Sequence, residues 1–146
     1  MTGARERAER AAQAMWAGDA ASKWMGMALG PVAEGEATVT LTVEPHHCNG
    51  HGTCHGGVVF ALADSAFAFA CNSRNRATVA MHCTISFLRP GRAGDVLRAT
   101  AREVQIEGRN GVYDVAVAGP AGPIAQFRGV SRAVGGTLYD EAAGGE

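Results

Sequence analysis

The stretch from Val58 to about Asn72 constrains this chain more than any other. It is apolar nearly all round and has neither Pro nor Gly inside it, which predicts a helix enclosed on most sides by protein. Asp64 and Ser65 interrupt its apolar run, and the run is too short to cross a bilayer. The rest of the chain therefore has to supply walls for a buried helix.

Those walls read mainly as strands. Residues 1–30 read as helix in two pieces broken near Gly18-Asp19, with Asp19 capping the second and Gly30-Pro31 ending it. From Val32 to Val43 the pattern alternates, with Val39, Leu41 and Val43 on one face and Thr38, Thr40 and Thr42 on the other. Residues 44–57 form a loop dense in His, Cys, Asn and Gly. After a loop at Ser73–Arg76, alternation returns with Val79, Met81, Cys83, Ile85 and Phe87 on one face. Strands follow at about 96–106, 112–118 and 124–134, joined by short turns, so the sheet is expected to be mainly antiparallel. One long helix wrapped by a curved antiparallel sheet is the α+β hotdog architecture. A chain of 146 residues is expected to form a single domain over 1–146, with a flexible tail over 135–146.

Composition narrows the function classes. Hydrophobic residues make up 47% and charged residues 18%, which excludes a disordered polymer. Aromatics are only 6% while Gly numbers 20, so close backbone approach is expected in the core. A net charge of −1 gives no footprint for nucleic acid. No export signal or membrane segment is expected, and four cysteines, two of them in apolar segments, point to a reduced, cytoplasmic protein.

Asp64 is the residue that folding does not ask for. Burying a carboxylate in mid-helix costs several kcal/mol unless it is compensated, and Asp is a poor helix-interior residue. It either faces a polar seam, pairs with an arginine, or does chemistry. His55-Gly56-Gly57, just upstream, opens the same helix. First-turn amides lack intrahelical acceptors, and glycine lets a ligand approach them, which suits the oxyanion of an attacked ester or thioester carbonyl. Gly56 and Asp64 are eight residues apart, about 12 Å along a helix. One helix cannot bring both groups to one scissile bond, but two helices around a two-fold axis could, so catalysis here implies an obligate dimer.

The loop cluster of His46, His47, Cys48, His51, Cys54 and His55 raises a metal site, but its spacing matches none of the usual zinc pairs, and no metal or other cofactor is expected. Cys54 beside His55 is a second nucleophile candidate, since a helix N-terminus lowers a thiol pKa. Adjacent residues rarely form a nucleophile–base pair, however. Ser65, Ser73 and Ser86 lack a nucleophile elbow.

The ordered motifs Asn49-Gly50-His51, Cys54-His55-Gly56-Gly57, Phe60–Ala68 with Leu62-Ala63-Asp64, Cys83–Gly91, Gly111–Asp114 and Phe127-Arg128-Gly129 resemble the phenylacetate-degradation thioesterases of the hotdog superfamily. The resemblance covers about residues 10–138. It implies hydrolysis of phenylacetyl- or hydroxyphenylacetyl-coenzyme A. By the same resemblance Asp64 is general base or nucleophile, the Gly56 amide polarises the carbonyl, and Asn49 and His55 support the site. Gly57, Arg89 and Pro90 are expected near the substrate, with Arg89 a candidate phosphate contact, and a homotetramer of two dimers is implied. The chain departs from relatives at Val58 and Ser86, positions that bear on acyl specificity. Two rivals have other uses for the same groove: a non-enzymatic acyl-CoA-binding module, and a hotdog dehydratase or hydratase for which His82 is the available histidine.

Overall fold

A computed structural model describes residues 3–142; residues 1–2 and 143–146 lie outside the described part. Helix α1 (Ala4–Ala17) and the short α2 (Ala20–Trp24) come first, followed by a hairpin of β1 (Met27–Ala33) and β2 (Glu36–Thr42). A loop with one 3-10 turn at Pro45–His47 leads into α3 (Gly56–Cys71). Then come β3 (Thr78–Phe87), β4 (Val96–Glu107), β5 (Asn110–Gly119) and β6 (Gly122–Ala133). Among the described residues the strands form one antiparallel sheet in the order β1-β2-β4-β5-β6-β3. Helix α3 packs against every strand of it, which is the hotdog arrangement.

The single strand expected from Val32 to Val43 is divided by a turn, with Val32 and Ala33 in β1, but its alternation holds in β2. Val39, Leu41 and Val43 are buried and Thr42 is exposed. Register carries the apolar face across the sheet: Val39 pairs with Ala99 and Leu41 with Leu97, and Ala99 pairs in turn with Val117. Helix α3 meets this face with Leu62 and Phe67, both fully buried, each contributing about 1.5–3 kcal/mol. The glycine-rich composition has a local use here. A Cβ at Gly129 would lie 2.8 Å from the Phe67 ring, so only glycine lets that ring rest on β6.

Two other expectations from the sequence are corrected. Residues 1–30 are not helical throughout, because Met27–Ala33 is a strand. Met, Ala and Leu in that segment favour helix, and Gly30-Pro31 reads as a helix stop. Tertiary pairing decides otherwise: β1 lies at the sheet edge, and the ladder is interrupted between Leu29 and Val32, where a proline is tolerated. The break at Gly18-Asp19 does occur, and Asp19 caps α2 by accepting the Ser22 N–H at 2.9 Å.

The tail is the second correction. Asn75, buried with φ +59°, accepts the N–H groups of Leu138 and Tyr139 at 2.9 and 3.2 Å and donates to the Tyr139 carbonyl at 3.0 Å. Arg7 reaches Glu141 at 2.6 Å and Arg10 lies over the Tyr139 ring. Residues 135–142 are therefore docked against the body of the protein. The expectation of flexibility over 143–146 falls outside the described residues.

Candidate active site

The start of α3 is built by the loop before it. His55 is the N-cap, and its Nδ1 accepts the Gly57 N–H at 2.8 Å. The His55 carbonyl accepts from Val58 and Val59 at 2.9 and 3.2 Å. Of the first-turn amides, that leaves the Gly56 N–H without an acceptor among the described residues. The amide of Gly57, also expected at the site, is taken by His55. The positive end of the helix dipole thus converges on one available donor.

Around Gly56 lies a groove of about 320 Å³ lined by Val59, Phe87, Leu88, Arg89, Pro90 and Ile124 among others. It brings Arg89 and Pro90 to the same groove as Gly56. The Arg89 guanidinium is hydrogen-bonded to the Ala121 carbonyl, which pins it across the β5–β6 turn. Phe87 is the residue that sequence reasoning did not single out. Its ring lies where a Gly56 Cβ would come within 3.2 Å, so it forms a wall directly over the helix start. Its alternation places it on one strand face with Val79, Met81, Cys83 and Ile85, and it is 55% exposed.

Asn49 is placed beside the site rather than in it. Its Oδ1 accepts from His51 N, Thr53 N and Thr53 Oγ1 at 3.0, 3.3 and 3.2 Å, which closes the loop on itself. Thr53 and Cys54 are in turn held to the Arg92 strand entrance, with Cys54 N donating to Gly91 O at 2.7 Å. The loop that carries His55 is therefore fixed from both sides.

Asp64 sits in the middle of α3, half-buried, with no hydrogen bond or ion pair among the described residues. Neither a polar seam nor an arginine compensates it. Burial pushes its carboxyl above the usual range. Its charge reaches Cys83 on β3 and Cys71 at the end of the helix, adding to the burial that raises both thiols, Cys71 to about 12. Asp64 and Gly56 remain about 12 Å apart along the same helix, so one chain does not bring them together. Ser65, next to Asp64, is held elsewhere, 3.1 Å from Ser22 Oγ of α2.

The remaining loop histidines and cysteines have structural partners. His47 is buried, with Nδ1 accepting from Glu44 N at 2.8 Å and Nε2 donating to Met25 O at 2.6 Å. No three His, Cys, Asp or Glu side chains of the described residues converge as a metal-holding group. Burial raises the Cys54 thiol to about 11, which disfavours a thiolate nucleophile. His82, exposed on β3, faces away from Cys83, the neighbour that senses Asp64.

The fold and site define a thioesterase of the hotdog type, and residues 51–119 match the family model described as Thioesterase superfamily. A Streptococcus mutans UA159 protein solved bound to acetyl CoA superposes with a TM-score of 0.73 at 25% identity, over 77% of this chain and 91% of that one. The chain is 50% identical over 133 residues to the acyl-coenzyme A thioesterase PaaI of Escherichia coli strain K12, covering 90% of this chain and 94% of the relative. The solved structure of the E. coli PaaI protein from the phenylacetic acid degradation operon superposes with a TM-score of 0.90 at 46% identity, over 92% of this chain and 99% of its own. This chain belongs to the phenylacetate-degradation thioesterases of the hotdog superfamily, and it is a hydrolase of thioester bonds.

Proposed function

We propose that this enzyme hydrolyses acyl-coenzyme A thioesters, phenylacetyl- and hydroxyphenylacetyl-CoA foremost, to the free acid and coenzyme A. One observation carries the reading: Asp64 is an uncompensated, half-buried carboxylate on the helix whose first amide is left open. A site that needed only stability would not leave both groups unsatisfied. The family resemblance and the likeness to the E. coli acyl-coenzyme A thioesterase support the substrate class. The groove at Gly56, walled by Phe87, Leu88, Val59 and Ile124, has the apolar lining an aromatic acyl group requires.

The reacting unit is a dimer. Strand β3 is an edge strand, and its Val79, Met81 and Phe87 are 50%, 53% and 55% exposed. An unpaired apolar edge of this kind calls for a partner strand, and a second β3 running antiparallel is the self-complementary choice. That pairing lays two α3 helices side by side in opposite directions. The Gly56 amide of one protomer then holds the thioester carbonyl, and Asp64 of the other drives hydrolysis. The carboxylate takes a proton from water as water attacks, or attacks the carbonyl itself; in either case the thiolate leaves as coenzyme A and one water is consumed. His55 and Asn49 hold the amide in place, and Arg89 and Pro90 flank the entering coenzyme. Two such dimers make the tetramer the family resemblance implies. The four unpaired thiols suit work in the reducing cytoplasm.

The test is thiol release from a panel of acyl-CoA esters by wild type and Asp64→Ala. Turnover of aryl-acetyl esters that falls about a thousandfold or more in the variant is expected. Tight binding without turnover by wild type would instead make the protein a carrier, and equal activity in both proteins would end the assignment of Asp64. Single turnover in ¹⁸O-water reads the chemical route: general-base attack puts the label in the product acid, whereas direct attack followed by water opening the anhydride at its Asp64 carbon puts it in the Asp64 carboxylate.

A further inference from the structure

Cys48 and Cys54 stand opposite each other across an isolated antiparallel bridge in the loop before α3. The bonds that make the bridge run from His55 N to His47 O and from Asn49 N to Thr53 O, both at 2.8 Å. They flank the two cysteines, which makes Cys48 and Cys54 a non-hydrogen-bonded pair, with Cα atoms about 4.5 Å apart and side chains on one face. That spacing lies within the span of a disulfide, about 4.4–6.8 Å. Gly52 N donates to Asn49 O at 3.0 Å, and Asn49 Oδ1 accepts three more bonds, so the turn between the cysteines holds them face to face.

Neither sulfur has a strong partner. Cys48 Sγ reaches Glu44 O at 3.7 Å and Cys54 Sγ reaches His55 O at 3.9 Å. Cys54 is buried beside Gly91, a place any small apolar residue could fill. Cys48 is half-buried, and neither packing nor hydrolysis has a use for a thiol there. Its one evident chemical partner is the sulfur across the bridge.

We propose that Cys48 and Cys54 form a reversible disulfide when the protein meets a hydroperoxide, and that this link slows thioester hydrolysis. The effect on turnover rests on the assignment of Gly56 as the carbonyl donor; the link itself does not. The more accessible Cys48, as thiolate, attacks one peroxide oxygen. The O–O bond breaks, the second oxygen leaves as water with the Cys48 proton, and Cys48 becomes a sulfenic acid. Cys54 then attacks the Cys48 sulfur; the S–S bond forms, the S–O bond breaks, and the hydroxyl leaves as water with the Cys54 proton. Two thiols lose two electrons in all, and hydrogen peroxide is reduced to two waters. Burial, which raises the Cys54 thiol to about 11, makes it the second sulfur to react.

Disulfides usually hold their Cα atoms about 5.5–6 Å apart, so closing the link spreads the bridge by about 1 Å. The displacement falls on the His55 N–His47 O bond, and His55 caps the helix and precedes Gly56. Cys54 also lines the Gly56 groove. A shift of that size at the carbonyl donor is expected to lower kcat about tenfold or more.

The reduced, intact protein is treated with hydrogen peroxide, and its free thiols are then blocked and located by peptide mass mapping. Free thiols are expected to fall from four to two per chain, with Cys48 linked to Cys54. The kcat on phenylacetyl-CoA should fall about tenfold, and dithiothreitol should restore both. Cys48→Ser keeps the reduced activity and loses none of it to peroxide. In Cys54→Ser the reaction stops at the Cys48 sulfenic acid, which dimedone labels. Four free thiols after peroxide, or a link that involves Cys71, Cys83 or a second chain, overturns the site. A Cys48–Cys54 link with unchanged kcat, or an equal loss of activity in Cys48→Ser, overturns the regulation. Failure of the Gly56 assignment is separately visible as undiminished kcat in reduced Gly56→Ala, while the thiol map still reads the link.

Discussion

The two ends of α3 are built by opposite rules. At the C-terminal end, Asn72, Ser73 and Asn75 are buried and their polar groups are matched. Asn72 Oδ1 accepts Thr78 N at 2.9 Å, its Nδ2 donates to Ala68 O and Thr78 O, and Ser73 Oγ accepts Gly35 N at 2.8 Å. At the N-terminal end the Gly56 amide is open, His55 is exposed, and an exposed Phe87 ring stands over the entrance. One helix end closes the fold, and the other carries the groove proposed above for the thioester. If the proposed site is right, the contrast separates residues kept for stability from those kept for chemistry, although His55 and Asn72 are both polar and both cap the same helix.

Breaking the closed end has the largest effect. Asn75→Ala removes three hydrogen bonds to the docked tail and leaves alanine at a left-handed φ, so it is expected to lose about 3 kcal/mol and about 6–12 °C in thermal melting. Turnover of the remaining folded protein should be unchanged, because the substitution is at the far end of the helix from Gly56. The open end should show the reverse. In Gly56→Ala a Cβ 3.2 Å from the Phe87 ring pushes an exposed side chain that can move, so melting changes little. The carbonyl loses its approach to the amide, and kcat is expected to fall about a hundredfold. A melting loss in Gly56→Ala as large as that in Asn75→Ala would erase the contrast. Between these extremes lies His55, which is exposed yet caps the helix. His55→Ala is expected to lose about 1 kcal/mol, and His55→Asn to restore it, since asparagine is among the best N-caps.

Much of this was legible in the chain itself. The enclosed helix, the alternating β2, the hairpins after residue 90 and the exceptional status of Asp64 all follow from local patterns that act within a few residues. Residues 27–33 were misread because helix propensity is local, while edge-strand pairing with β2 is not. The tail at 135–142 was read as loose because its anchor, Asn75, is more than sixty residues away. Alternation shows only that Phe87 shares a strand face with Ile85; nothing local reveals that its strand is the sheet's edge.

Asp64 gives the smallest effect on stability and the clearest division between the two kinds of residue. Burial raises its native carboxyl above the unfolded value of about 3.9, so the native state holds the proton more tightly than the unfolded chain does. Below the unfolded pKa both states are protonated and no penalty exists. As pH rises through the window between the unfolded and the raised native values, the penalty grows, and above that window it is constant. Asp64→Asn removes it, so at pH 7 the variant is expected to melt about 2–4 °C higher than wild type, a modest gain because solvent screens the open side of the carboxylate. The difference should close when both proteins are melted well below pH 4. Turnover should run the other way: wild-type kcat/KM has an acidic limb above the ordinary carboxylate range, and Asp64→Asn loses activity at every pH. A variant that melts lower than wild type at pH 7 would mean that Asp64 has a stabilising partner, and that it belongs with Asn72 and Asn75 rather than with Gly56.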